Sequence, residues 1–244
     1  MEIKITQSEL PRLEQQRTPS RLKTRSAIYL FVALIVQVLF WYFAVPAPRL
    51  AIEEPSVSYA RNECVLAVGL LLIIPFIAIA ICRDRFDRFP LGFGDYRYGL
   101  ISVLAVSPVF AFSIIVSPID ESMQAFYPIP GDEVGQSVGR YMGWAIWYLL
   151  FYIAFEFFYR GFLLFGTDDL DWLTCFMIHI TCCTLIHVGK PFIETLASIP
   201  ATIIFAWITY KTRSIWYGVA IHFVVGITND LNILWQKGKL DWFG

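Results

Sequence analysis

Seven apolar runs divide this chain, at about 27–47, 64–82, 98–117, 141–165, 172–188, 193–210 and 214–235. A helix rises 1.5 Å per residue, so about 20 apolar residues cross the roughly 30 Å hydrocarbon core of a bilayer. The runs are continuous rather than alternating, and lipid satisfies no open sheet edge, so no strands are expected. The expected fold is all-α: a single transmembrane helical bundle of about seven spans over 27–244. A polar segment, 1–26, precedes it. The fifth run is short and the fourth carries charges. Only 16% of the 244 residues are charged and 57% are hydrophobic, where a soluble domain carries about 25% charged residues.

The polar segments set further limits. Formal net charge is −1, which leaves no electrostatic footprint for nucleic acid. The five cysteines, Cys64, Cys82, Cys175, Cys182 and Cys183, lie in or beside apolar runs without a CxxC pair, so no disulfide framework is expected. The first run is too long for a signal-peptide core, so no cleavable signal is expected. Pro11 and Pro19 interrupt any helix in a mobile or surface-lying N-terminal segment. The 118–140 segment, with Pro118, Pro128, Pro130 and Gly131, is the longest connection between spans.

Seven spans place the N-terminal segment, the 83–97 loop and the 211–213 loop on one side. That side holds Lys4, Arg12, Arg17, Arg21, Lys23, Arg25, Arg83, Arg85, Arg88, Arg97, Lys211 and Arg213. The other holds Arg49, Arg61, Arg140, Lys190, Lys237 and Lys239. Positive residues accumulate in cytoplasmic loops. The expectation is an integral, multi-pass membrane protein with a cytoplasmic N-terminus and an external C-terminus. The acidic turn Asp168, Asp169, Asp171 falls on the cytoplasmic side.

Ionisable residues inside spans are expensive and mark functional sites by default. The fourth run reads FYIAFEFFYRG and holds Glu156 and Arg160. Four residues apart, they share a helix face and can pair. A structural ion pair pinning two helices is the plain alternative, as is an Arg160 that snorkels to the interface. His179 and His187 stand on the fifth run and His222 on the seventh. Imidazole and carboxylate are the side chains best suited to move protons near neutral pH, and together they polarise a water molecule. Below His222 the same helix presents Asn229 and Asp230. Asn229 lies about 20° from the His222 direction and about 10 Å down the axis. Its amide suits a developing oxyanion; an ordinary helix-end role is at least as good a reading. After His187, Lys190 and Glu194 are spaced to pair, with Pro191 in the first turn of the next helix.

These residues resemble a family. Phe155-Glu156-x-x-x-Arg160-Gly161, Cys183-x-x-x-His187, and Ser214-Ile-Trp followed by His222 look like the three motifs of the CAAX-protease and bacteriocin-processing (CPBP, Abi) intramembrane proteases, in order and on successive spans. The resemblance covers about 141–235. It implies that a glutamate pair and the first motif histidine activate water, while the last histidine and an asparagine four residues on stabilise the oxyanion. Three positions depart from the pattern: Phe155 stands for the first glutamate, Cys183 for a phenylalanine and Gly226 for the asparagine. Glu194 is then a possible replacement carboxylate, although an interfacial pair with Lys190 is the simpler reading.

The resemblance implies an intramembrane endopeptidase acting on a membrane-bound or lipidated peptide. Glu156, Arg160, His187, His222 and Asn229 are its candidate catalytic residues. Rivals are a non-catalytic binding or immunity protein on the same scaffold, and a proton-coupled transporter. Counted at 1.5 Å per residue, Glu156 and His222 lie about 13 and 12 Å from the cytoplasmic end. His187 lies about 22 Å and His179 about 10 Å in, so depth favours His179 while the motif favours His187. Cys175, His179 and Cys182 share a face, but such a run in a membrane usually packs helices. No cofactor is expected and a divalent metal is not favoured.

Overall fold

The computed structural model describes residues 21–44, 56–116 and 120–242. The N-terminal segment with Pro11 and Pro19, and Arg49, lie outside them. Among the described residues eight α-helices run in chain order: α1 (Arg21–Phe43), α2 (Val57–Ile81), α3 (Tyr96–Val116), α4 (Glu121–Phe126), α5 (Val138–Gly166), α6 (Trp172–Leu185), α7 (Phe192–Thr212) and α8 (Trp216–Gln236). No strand occurs among the described residues. Seven helices correspond to the seven apolar runs. Five of these, α1, α2, α5, α7 and α8, meet the length and apolarity of a membrane span, and α6 is a shorter apolar helix.

The outward faces are apolar. Phe31, Leu34, Ile77, Leu104 and Ile146 are all more than half exposed, which a bilayer covers and water would not. α5 is the exception and the axis of the bundle. Of its most apolar stretch 78% is buried inside the protein, against 28–44% for the other four long spans. Ser137 starts α5 by accepting the Arg140 N–H at 3.3 Å, a serine N-cap.

Two helices carry π segments: Val68–Ile73 in α2 and Phe157–Leu163 in α5. They pack on one another. Phe76, just beyond the first, stacks on Phe157 of the second, centroids 4.5 Å apart and planes at 6°. A π turn widens the helix by one residue and recurs at functional positions. The one in α5 begins at the residue after Glu156 and contains Arg160.

Two differences from the sequence reading concern the ends of the bundle. α1 begins at Arg21, within the segment read as a polar tail, because its first turns find charged partners. The 118–140 connection is partly helical, with α4 capped by Asp120, which accepts from Ser122 N–H at 2.8 Å. The grouping of loops by charge is matched by contacts. Arg25 Nη1 lies 3.5 Å from Asp84 and Arg88 pairs with Asp84 and Asp168, both at 2.5 Å. Ser26 donates to Asp169, and Arg213 donates to the Arg88 carbonyl at 3.3 Å. The start of α1, the loop after α2, the acidic turn and the 211–213 loop therefore share one end. At the other, Lys237 holds Asp132 at 2.9 Å and the Tyr127 carbonyl at 3.2 Å.

Asp84 is the hub of the first cluster. It also accepts the Tyr29 hydroxyl at 3.1 Å. Burial pushes its carboxyl up, but hydrogen bonds from Arg88 and the Arg85 N–H, with the guanidinium charges, hold it below the usual carboxylate range. A group held low stabilises fully above its unfolded value, about 3.9, and that contribution disappears as pH falls through the lowered value. Asp84→Asn should remove on the order of 2 kcal/mol, the scale of hydrogen bonds to a charged group. It should also flatten the loss of thermal stability as pH falls below about 4. Equal acid sensitivity in the two proteins would assign that loss to other carboxylates.

Candidate active site

Glu156 ends the α-helical part of α5 and is fully buried. Its Oε1 lies 2.8 Å from His222 Nδ1 and 3.3 Å from Arg160 Nη1. The carboxylate therefore joins a residue of its own helix to one on α8. Close approach is possible because residue 218, one turn before His222, is glycine. A Cβ there would stand 2.7 Å from Glu156 Oε2. Oε2 has no hydrogen-bond partner among the described residues. The start of α8 is anchored by Trp216, whose indole N–H donates to the Leu91 carbonyl at 2.7 Å, and by Tyr217, whose hydroxyl donates to the Phe93 carbonyl at 2.7 Å.

A carboxylate only accepts, so with Glu156 ionised the His222 proton sits on Nδ1 and Nε2 presents a bare lone pair. The His222 ring lies between Tyr152, 4.4 Å away at 27°, and Phe205, 5.2 Å away at 20°. Its side chain keeps 22% of its surface exposed, in contrast to Glu156 at 0%. Arg160 does not snorkel. It is buried, with its guanidinium 5.5 Å from the Phe155 centroid and 5.2 Å from that of Phe205. Aromatic faces and one carboxylate thus surround the cation.

Phe155, in place of a glutamate, is buried at the centre of this group. Its ring meets both motif histidines edge to face: His222 at 5.5 Å and His187 at 6.1 Å. His187 lies in the turn after α6 and makes a 2.8 Å hydrogen bond through Nδ1 to the Cys183 carbonyl. A carbonyl also only accepts, so Nε2 is again the bare nitrogen. His179 is fully buried beside Phe176 and near Arg160, with neither ring nitrogen hydrogen-bonded among the described residues. The motif histidine therefore shares the Phe155 ring with His222, while the histidine favoured by depth lies towards Arg160.

The other candidates lie further out. Asn229 is buried on α8, about 10 Å along the axis from His222. It neighbours Asp230, whose Oδ2 accepts the Trp144 indole N–H at 2.9 Å. Lys190 and Glu194 pair at 2.6 Å, and Tyr127 donates to Glu194 at 2.8–2.9 Å. Both Glu194 oxygens are thus engaged. Among the described residues, no three His, Cys, Asp or Glu side chains gather as a metal site.

Sequence reasoning missed Tyr152 and Phe205, which sandwich His222, and Tyr127, which holds Glu194. Aromatic residues at helical spacing read as core. The only available signal was the position of Tyr152, one turn before Glu156 on the same face.

Residues 137–228 match the family model for type II CAAX prenyl endopeptidase Rce1-like proteins, so this part of the chain is similar to that family. The matched stretch contains Glu156, Arg160, His187 and His222, and stops short of Asn229. Neither the curated proteins nor the solved structures searched gave a match.

Proposed function

We propose that this chain is an intramembrane endopeptidase that hydrolyses a peptide bond in a membrane-bound or prenylated peptide. The observation that carries the reading is the 2.8 Å Glu156–His222 hydrogen bond, set inside an apolar bundle with Arg160 as counter-charge. A buried carboxylate that orients an imidazole and leaves its other nitrogen bare is the arrangement of a general base. Water gives its proton to His222 Nε2 and its oxygen attacks the carbonyl carbon. The developing imidazolium is stabilised by Glu156, and Arg160 holds the carboxylate in place. His187, the second bare Nε2 beside Phe155, helps to hold the water. When the tetrahedral intermediate collapses, the leaving amine takes the proton from His222.

Phe155 is the observation that favours the non-catalytic rival, because its ring fills space between the two histidines. The experiment that separates the two uses purified protein in liposomes and a farnesylated peptide carrying a fluorophore–quencher pair. Cleavage by the wild-type protein is expected. Absence of cleavage of this peptide, and of an unprenylated membrane-tethered one, overturns the protease reading.

The end bearing Arg25, Arg88 and Arg213 faces the cytoplasm in this reading, as the excess of basic residues directs. Seven spans then put the C-terminus outside. A reporter fused after Gly244 should behave as exported, and cytoplasmic reporter activity would reverse the orientation.

A further inference from the structure

The proposed chemistry lacks a donor. The carbonyl oxygen becomes an oxyanion as water attacks, and a positioned hydrogen-bond donor is then worth several kcal/mol. Neither imidazole supplies it in the starting state. His222 commits its proton to Glu156 and His187 commits its proton to Cys183, so each offers a lone pair. Glu156 is an acceptor, and Arg160 is buried behind the carboxylate between two aromatic rings. Asn229 stands two helical turns away from His222.

One buried hydroxyl does border the site. Tyr152 lies one turn before Glu156 on α5 and its ring stacks on His222 at 4.4 Å. Its hydroxyl oxygen occupies the space beside Gly226, one turn after His222. A Cβ on residue 226 would collide with that oxygen and stand 2.9 Å from Tyr148 Cε1. The absence of a side chain at 226 is therefore what admits the phenol to the His222 face of α8. Tyr148, stacked against Tyr152 at 4.5 Å, shares a hydroxyl–hydroxyl hydrogen bond with it. The Tyr152 hydroxyl can accept that bond from Tyr148, which leaves its own proton free. A phenol carries one proton and two lone pairs, so Tyr152 retains a proton to give.

We infer that Tyr152 is a catalytic residue: its hydroxyl, seated in the gap left by Gly226, donates to the oxyanion formed beside His222. The inference rests on the endopeptidase reading. The step is a hydrogen bond and leaves the proton balance unchanged, since the water proton still goes to His222 and then to the leaving amine.

The test compares wild type, Tyr152→Phe, Gly226→Ala and Glu156→Gln in the farnesylated-peptide assay, with thermal unfolding of each. Tyr152→Phe keeps the ring stacked on His222 and removes only the donor. It should lower kcat about 10²-fold, the lower end for loss of one oxyanion donor, with KM and unfolding temperature nearly unchanged. Gly226→Ala keeps the hydroxyl but displaces it, and should lower kcat in the same direction. It decides the matter if Tyr152→Phe does not fold. A merely structural Tyr152 would shift the unfolding temperature and leave kcat intact. Full activity in Tyr152→Phe, beside an inactive Glu156→Gln, overturns the role of Tyr152 and leaves the protease reading standing. A wild type without turnover overturns both.

Discussion

Glu156→Gln should abolish nearly all hydrolysis while the protein still inserts and folds. The amide keeps the shape of the side chain but cannot hold the His222 imidazolium that forms as water is deprotonated. Positioned acid–base catalysis contributes roughly 10²–10⁴ in rate, and that is the expected fall in kcat. His222→Ala should lose at least as much. The double variant should be scarcely worse than the weaker single, because residues acting as one unit are not additive. Steady-state kinetics on the farnesylated peptide in liposomes checks all three. A Glu156→Gln protein with wild-type turnover would reduce the pair to a structural link between α5 and α8.

Arg160→Met carries the largest expected effect on stability. The guanidinium is buried and the nearest carboxylate, at 3.3 Å, is itself fully buried. Removing one member of such a pair leaves an uncompensated charge and costs roughly 3–5 kcal/mol. Methionine retains most of the apolar volume against Phe155 and Phe205, so the loss reports the charge rather than a cavity. Adding Glu156→Gln should recover much of it, since the amide needs no counter-charge. A double-mutant cycle by thermal or denaturant unfolding in detergent measures the coupling. Additive losses would show that Arg160 is held by the aromatic faces alone.

The charged residues of this site were legible before any coordinates because apolar runs make every ionisable residue conspicuous. Glu156, Arg160, His187 and His222 stand out for that reason, as do the spans themselves. Their pairing was not legible. The periodicity of α5 brings Glu156 to Arg160, but nothing local says that the carboxylate turns to His222 rather than to His187. That choice follows from Gly218, which lets α8 approach, and from Phe155, which occupies the side towards His187. Tyr152 was hidden by its chemistry: in a stretch as aromatic as WYLLFYIAFEFFY, one more ring carries no signal. The π turn was hidden for another reason. Its sequence, FFYRGFL, reads as ordinary helix, and the widening depends on neighbours in three dimensions. The acidic turn at 168–171 was grouped with the N-terminal and 83–97 segments but given no role; Arg25 and Arg88 supply it.

The first helix lies wholly outside the stretch that carries the family motifs, yet it touches α5, α6 and the turn after α6. The Gln37 amide donates to the Tyr159 hydroxyl at 3.1 Å and to the Cys182 carbonyl at 2.7 Å, tying α5 to α6. Tyr29 packs against Gly166 and Trp41 against Gly189, two residues beyond His187. The motif-bearing segment is therefore not portable. Cut out, or transplanted onto another set of leading helices, it would keep every candidate catalytic side chain and lose the strut between Tyr159 and Cys182. A foreign first helix would have to reproduce one amide, at one height, facing two partners.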